Sequence, residues 1–145
     1  MKIEIGKNNS FLRKKSQSIR KIDEQILNLI KEMNDTMIKN NGLGLAACQI
    51  GKDIRIFVIH SDLSEKCIFI NPEIIKMSKK TETMEEGCLS LPGEFLPTKR
   101  AKSLKIKALN ENGKQFKLKA KDLLARTIQH EIDHLNGILI CDNVK

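Results

Sequence analysis

Apolar positions recur at helical spacing in two stretches of the chain and at strand spacing in several others. Between residues 23 and 40, Ile26, Leu27, Ile30, Met33, Met37 and Ile38 fall on one stripe. Asp23 stands where an N-cap belongs, and Asn40-Asn41-Gly42 ends the pattern. The second helical stretch, 121–136, carries Leu124, Ile128 and Leu135 on one ridge. Leu123, Thr127, His130 and His134 form the neighbouring ridge, and Gly137 follows as a C-terminal glycine. The spacing predicts a helix whose histidines sit at the edge of its buried face.

Residues 54–60 are almost continuously apolar and predict a strand. Residues 67–70 predict a second, bent by Asn71-Pro72, with 74–77 continuing in a new direction. Residues 103–109 and 114–120 alternate with period two, and Asn110-Glu111-Asn112-Gly113 between them has hairpin chemistry. Residues 138–141 predict a last short strand. Segment 42–51 is apolar and punctuated by glycine; Gly42 and Gly44 let a backbone approach something closely or take positive φ. It is not a phosphate-cradling loop, because it lacks the G-x-x-x-x-G-K-[ST] spacing and no strand precedes it. Two clear helices among mostly hairpin-linked strands predict an α+β fold. With no repeat, low-complexity tract or linker, residues 1–145 read as one domain.

Composition narrows the class. The hydrophobic fraction is 40% and the charged fraction 30%, as in a soluble globule. No apolar run approaches a membrane span, and the N-terminal residues lack a signal-peptide pattern, so a cytoplasmic protein is expected. Cys48, Cys67, Cys88 and Cys141 are widely spaced and read as thiols. The net charge of +8 raises the question of a nucleic-acid partner. Basic residues are spread along the chain, with short clusters at Arg13-Lys14-Lys15 and Lys99-Arg100, and aromatics are 3%. That pattern favours a solvated lysine-rich surface over base recognition, and leaves room only for weak, sequence-independent electrostatic attraction to RNA.

The chemistry concentrates in Gln129-His130-Glu131-Ile132-Asp133-His134. Histidines four apart share one face of a helix and can reach one divalent metal. Glu131 points about 100° around the helix from His130, where a general acid or base belongs. An open catalytic site needs a third protein ligand. His60 closes an apolar strand, so Cys88, in Glu86-Gly87-Cys88-Leu89-Ser90, is the better candidate.

Three segments now stand in order: Gly42-Leu43-Gly44-Leu45-Ala46-Ala47-Cys48-Gln49, Glu86-Gly87-Cys88-Leu89-Ser90, and Gln129-His130-Glu131-Ile132-Asp133-His134-Leu135. Together they resemble the peptide deformylase family over residues 12–142. The resemblance implies antiparallel sheets packed around a central metal-binding helix, with one N-terminal helix. It implies hydrolysis of the N-formyl group from the initiator methionine of newly made polypeptides, releasing formate. Cys88, His130 and His134 would hold the metal, with Fe2+ the family's usual ion and Zn2+, Ni2+ or Co2+ fitting the same donors. Glu131 would move the proton, and the Gln49 side chain and Leu89 N–H would stabilise the developing oxyanion. Leu43 and Gly44 would pair with the substrate backbone as an added strand. Met84, Gly87, Leu123 and Thr127 would contact substrate, with Arg126 lending only its aliphatic stem to the methionine pocket. Glu86 and Arg100 would pair and brace the metal loop.

The match departs from the family at Cys48, where proline or another small residue is usual; a thiol there could loosen Gln49 or oxidise. The chain also stops at Lys145, without the C-terminal helix that docks some relatives on the ribosome. Two other readings compete: a zincin-type protease, with Asp142 as its downstream ligand candidate, and a catalytically degenerate metal-binding module.

Overall fold

The computed structural model describes residues 1–143, with the side chain of Asn143 excepted. A one-turn helix, α1 (Ser10–Arg13), precedes α2 (Glu24–Lys39). The strands are β1 (Gly44–Ala46), β2 (Ile56–Ile59), β3 (Ile68–Met77), β4 (Thr81–Cys88), β5 (Leu91–Ala101), β6 (Ser103–Leu109) and β7 (Gln115–Lys121). α3 (Asp122–Leu135) follows, and 3-10 turns lie at Ala47–Ile50 and Ile140–Asn143.

Five strands form one antiparallel sheet in the order β1-β2-β3-β6-β7, and β4-β5 form a separate two-stranded ribbon. β2 is buried at all four positions, which explains its unbroken apolar run. Phe57 and Ile59 face α3, where they join Phe69, Ile106, Ile128 and Leu135. Ile56 and Val58 face the other way, onto Ile30, Met33 and Met37 of α2. Asp23 caps α2 by accepting from the Ile26 N–H at 3.0 Å. The sheet is thus sandwiched at one end between two helices, and α3 is held between sheet and ribbon.

β3 runs straight through Asn71-Pro72 with a register shift between Ile70 and Glu73, so the expected bend is a bulge. Asn71 takes a φ of 49°, and its side-chain amide grips both backbone groups of Ile19, tying the N-terminal segment to the sheet. The expected hairpin of 103–109 with 114–120 forms in register, Leu109 opposite Gln115 and Ser103 opposite Lys121.

Two elements differ from the sequence reading. Residues 138–141 make no strand. Gly137 turns the chain at φ 76°, and Leu139 and Asp142 then bond to each other in a 3-10 turn. The Cys88 segment is not a free loop either; it ends β4. The ribbon escaped detection because β4 is exposed at most positions and shows no apolar alternation.

Candidate metal centre

α3 places His130 and His134 one turn apart, and the ribbon's tight turn carries Cys88 to meet them. The two Nε2 atoms are 3.2 Å apart, and Cys88 Sγ lies 3.3 Å from His134 Nε2. All three donor atoms lie within 4.8 Å of one another. A tetrahedral ion with ligand bonds of about 2.0–2.3 Å spaces its ligands by roughly 3.3–3.7 Å. The trio therefore stands as three corners around one point, and a thiolate with two imidazoles suits a borderline-soft divalent ion. The residues fit a metal.

Glu86 holds this arrangement from behind. Its Oε1 is 3.0 Å from His130 Nδ1, which fixes the ring and leaves Nε2 facing the other two donors. Arg100 donates to both Glu86 oxygens, at 3.0 and 2.9 Å, and also to Asp133. Glu86 and Arg100 are only 7% and 6% exposed, so the expected pair is a buried one. Arg126 departs from expectation. Its guanidinium is buried, donating to Glu86 Oε2 and to the carbonyls of Thr98 and Glu82, so the whole side chain is structural and not the stem alone. Two arginines thus balance two carboxylates beneath the histidines. Burial works to raise the Glu86 carboxyl, but hydrogen bonds from His130 and Arg100 outweigh it and hold it at about 2.

The histidines are driven apart. Burial would lower His130, yet its bonds with Cys88 and Glu86 and the charge of Glu131 carry it up to about 10. A cation on Nε2 competes with that proton, so loading the site releases it. Burial, with positive His130 and Arg100 nearby, holds His134 well below the ordinary histidine range. Burial pushes Glu131 up to about 7. A bound cation favours its carboxylate form and lowers it from there. Glu131 Oε1 is buried without a partner in the protein, so it is free to serve a water or a substrate.

Gln49 is aimed by its neighbours. The Ala46 N–H donates to Gln49 Oε1 at 2.9 Å, which turns the amide nitrogen toward Ser90 Oγ at 3.1 Å and Cys88 Sγ at 3.9 Å. Cys48, next in the chain, is 2% exposed, and its thiol donates to the His134 carbonyl at 3.4 Å. Burial pushes that thiol up to about 12. It neither loosens Gln49 nor presents a reactive sulfur; it tethers the metal helix.

A cleft of about 700 Å3 opens over this centre. Leu43, Gly44, Gln49, Met84, Gly87, Cys88, Leu89, Leu123, Arg126, Thr127, His130 and Glu131 all line it, whereas His134 is buried behind. Leu89 sits in the turn between β4 and β5. Gly87 has no side chain because the Phe95 ring occupies that space, 2.9 Å from where a Cβ would stand. Phe95 lines the cleft at 66% exposure and was not singled out from sequence. His60 and Asp142 stand apart; His60 Nδ1 accepts from the Asp62 N–H, and Asp142 is paired with Arg13. The downstream ligand that a zincin would need is therefore engaged elsewhere.

Residues 3–145 match the family model described as polypeptide deformylase. The chain is 49% identical over 136 residues to peptide deformylase 1 of Clostridium perfringens, covering 93% of this chain and 92% of that protein. It superposes on the crystal structure of peptide deformylase from Thermotoga maritima with a TM-score of 0.94 at 38% identity, covering 99% and 97% of the two chains. The peptide deformylase of Synechococcus elongatus, solved in complex with actinonin, gives a TM-score of 0.93 at 36% identity, covering 100% of this chain and 79% of that one.

Proposed function

The chain belongs to the polypeptide deformylase family, and from that premise we propose how its own residues remove the formyl group from the initiator methionine of a newly made polypeptide. Cys88, His130 and His134 hold one divalent ion, Fe2+ in the cell, with Zn2+, Ni2+ or Co2+ able to replace it. When bound, the ion supplies Lewis acidity and a water acidified toward neutrality.

The remaining work falls to the chain. Glu131 takes the water's proton and later gives it to the leaving amine, using the carboxylate that faces the cleft. As charge builds on the formyl oxygen, the Gln49 Nε2 and the Leu89 N–H donate to it; each such donor is worth about a hundredfold in rate. β1 pairs with β2 on one side only and forms an edge of the sheet, so its other side can take an extended peptide along Leu43-Gly44. Met84 and Leu123 are about half exposed at 47% and 46%, and with Thr127 and Gly87 they offer an apolar wall for the methionine side chain.

The observation that carries this reading is the meeting of one sulfur and two imidazole nitrogens beside Glu131 and Gln49, at the foot of one cleft. Residues 1–145 act as a single catalytic domain in the cytoplasm. No helix among the described residues is long and apolar enough to cross a membrane. Weak electrostatic attraction to the ribosome brings the enzyme to its substrate, without recognition of any base sequence. Formate release from a formyl-methionyl tripeptide, with the peptide bonds left intact, tests the activity. Glu131→Gln should keep its metal and lose turnover; cleavage of a peptide bond, or parental turnover in that variant, overturns the reading.

A further inference from the structure

Strand alternation gathers the lysines that look scattered along the sequence. β3, β6 and β7 together contain Lys76, Lys105, Lys107, Lys117, Lys119 and Lys121, and a single acidic residue, Glu73. Their other face is buried through Leu104, Ile106, Ala108 and Ala120 beneath α3. The lysines therefore stand together on the outward face. Lys105 is the direct cross-strand partner of Lys119, and Lys107 of Lys117. Lys76 pairs with Lys105 from the other side, so three lysines stand abreast across three strands, spanning about 10 Å. Among the described residues, Lys107 alone of the six has an acid in reach, Glu73 at 3.4 Å.

Like charges placed directly opposite each other destabilise a sheet. Lysines on an edge strand can be explained as protection against pairing with another sheet, and β7 is an edge. That explanation does not reach Lys105 and Lys107, because β6 lies between β3 and β7 and guards no edge. α2 covers the outward side of the sheet over Ile56, Val58 and Ile70, and the lysine field lies beyond that cover. The field offers a regular array of point charges. None of the three strands contains arginine, whose fork suits a single phosphate or carboxylate. Neither of the two aromatics in them offers a platform for a base: Phe69 is fully buried, and Phe116 packs edge-on to it on the core side. Such a surface matches a repeating polyanion read through its backbone alone.

We propose that the outward face of β3, β6 and β7 docks the sugar–phosphate backbone of folded RNA. The choice of RNA among polyanions rests on the deformylase reading, since a newly made polypeptide is displayed on an RNA-built machine. Docking places the cleft near such chains without any base being read.

The test compares two double variants with the same change in charge. Lys117→Glu/Lys119→Glu alters the face; Lys14→Glu/Lys15→Glu alters the basic cluster most visible in the sequence. Binding to a fluorescent RNA hairpin is followed by anisotropy across a salt series. The face variant should bind at least tenfold more weakly, and its log–log salt slope should shrink by about 1.4–1.8. Its melting temperature should hold or rise, because each new carboxylate meets a lysine across the strand. The control variant should stay within about threefold of the parent. Lys117→Gln/Lys119→Gln, a milder change, should show an intermediate loss. Equal weakening in both Glu variants, no weakening in the face variant, or binding to phosphatidylglycerol vesicles without binding to RNA overturns the proposal. Formate release from a short peptide, measured on every sample, confirms folding and separates the two ideas. If RNA binding fails while formate release persists, docking alone is wrong; if RNA binds but no formate appears, the enzymatic reading is the one that falls.

Discussion

The backbone of Gly44 lies so close to Glu131 that a Cβ on the glycine would stand 2.7 Å from the carboxylate oxygen Oε2. That contact explains why the strand proposed to receive substrate carries glycine at this point. Gly44→Ala must push the Glu131 carboxylate aside while leaving Cys88, His130 and His134 untouched. The variant should keep one metal per chain and lose about a hundredfold in kcat, at the low end of what a displaced acid–base group costs. Steady-state formate release with metal analysis of the same sample checks it.

Glu86 carries more than its expected partner. Its carboxylate faces Arg100, Arg126 and His130 Nδ1 at once. Glu86→Ala leaves two arginines buried without their shared counter-charge and frees the His130 ring. Stability should fall by about 3–5 kcal/mol, as when a buried ion pair loses one member. Metal affinity should fall about 10–100-fold, the usual loss when the group behind a histidine ligand is removed. Chemical denaturation and chelator competition measure the two effects separately.

Cys48 is the residue that most invites a redox reading from sequence, and the structure argues against it. Buried, with its thiol held up at about 12 and bonded to the His134 carbonyl, it should be inert. Native protein treated with iodoacetamide should show no alkylation at Cys48 by peptide mass spectrometry until it is unfolded. Cys48→Ala should cost the cavity and the tether together, about 1–2 kcal/mol.

The acid limb of stability should carry a contribution from Asp142. Its bonds with Arg13 and with the Leu139 N–H lower its folded value below the ordinary 3.8. A group lowered on folding stabilises the protein fully above its unfolded value, and the contribution fades as pH falls through the folded one. The difference in melting temperature between parent and Asp142→Asn should therefore be constant near neutrality and shrink below about pH 4. The pair is a third exposed, so the effect should stay under about 1 kcal/mol.

What the sequence disclosed and what it hid follow one physical rule. Elements that bury an apolar stripe were readable: α2 from Ile30, Met33 and Met37, β2 from its continuous run, and the β6–β7 hairpin from its alternation around Asn110–Gly113. The ribbon was not, because β4 and β5 are held mainly by backbone pairing and expose most of their side chains. The donor set was legible because Cys88, His130 and His134 belong to chemically rare patterns. Of their supports, the Glu86–Arg100 pair was legible, but the parts played by Ser90 and Asp133 were not, although both lie inside the same segments. Nothing local says that Arg126, five residues before Glu131 on the helix, turns its charge inward to Glu86. Phe95 carried no signal, because an aromatic over a glycine declares itself only once the strands are paired. The lysine field was invisible for the opposite reason: single lysines spaced two apart look like ordinary solvated positions until register sets them side by side.

The central claim is that one cation is held by a sulfur and two ring nitrogens. X-ray absorption on metal-loaded, anaerobically purified protein reads that directly. One sulfur near 2.3 Å and two nitrogens near 2.0–2.1 Å are expected, with the sulfur lost in Cys88→Ala. A spectrum in which the bound metal shows no sulfur neighbour, or in which Cys88→Ala changes nothing, would contradict the account.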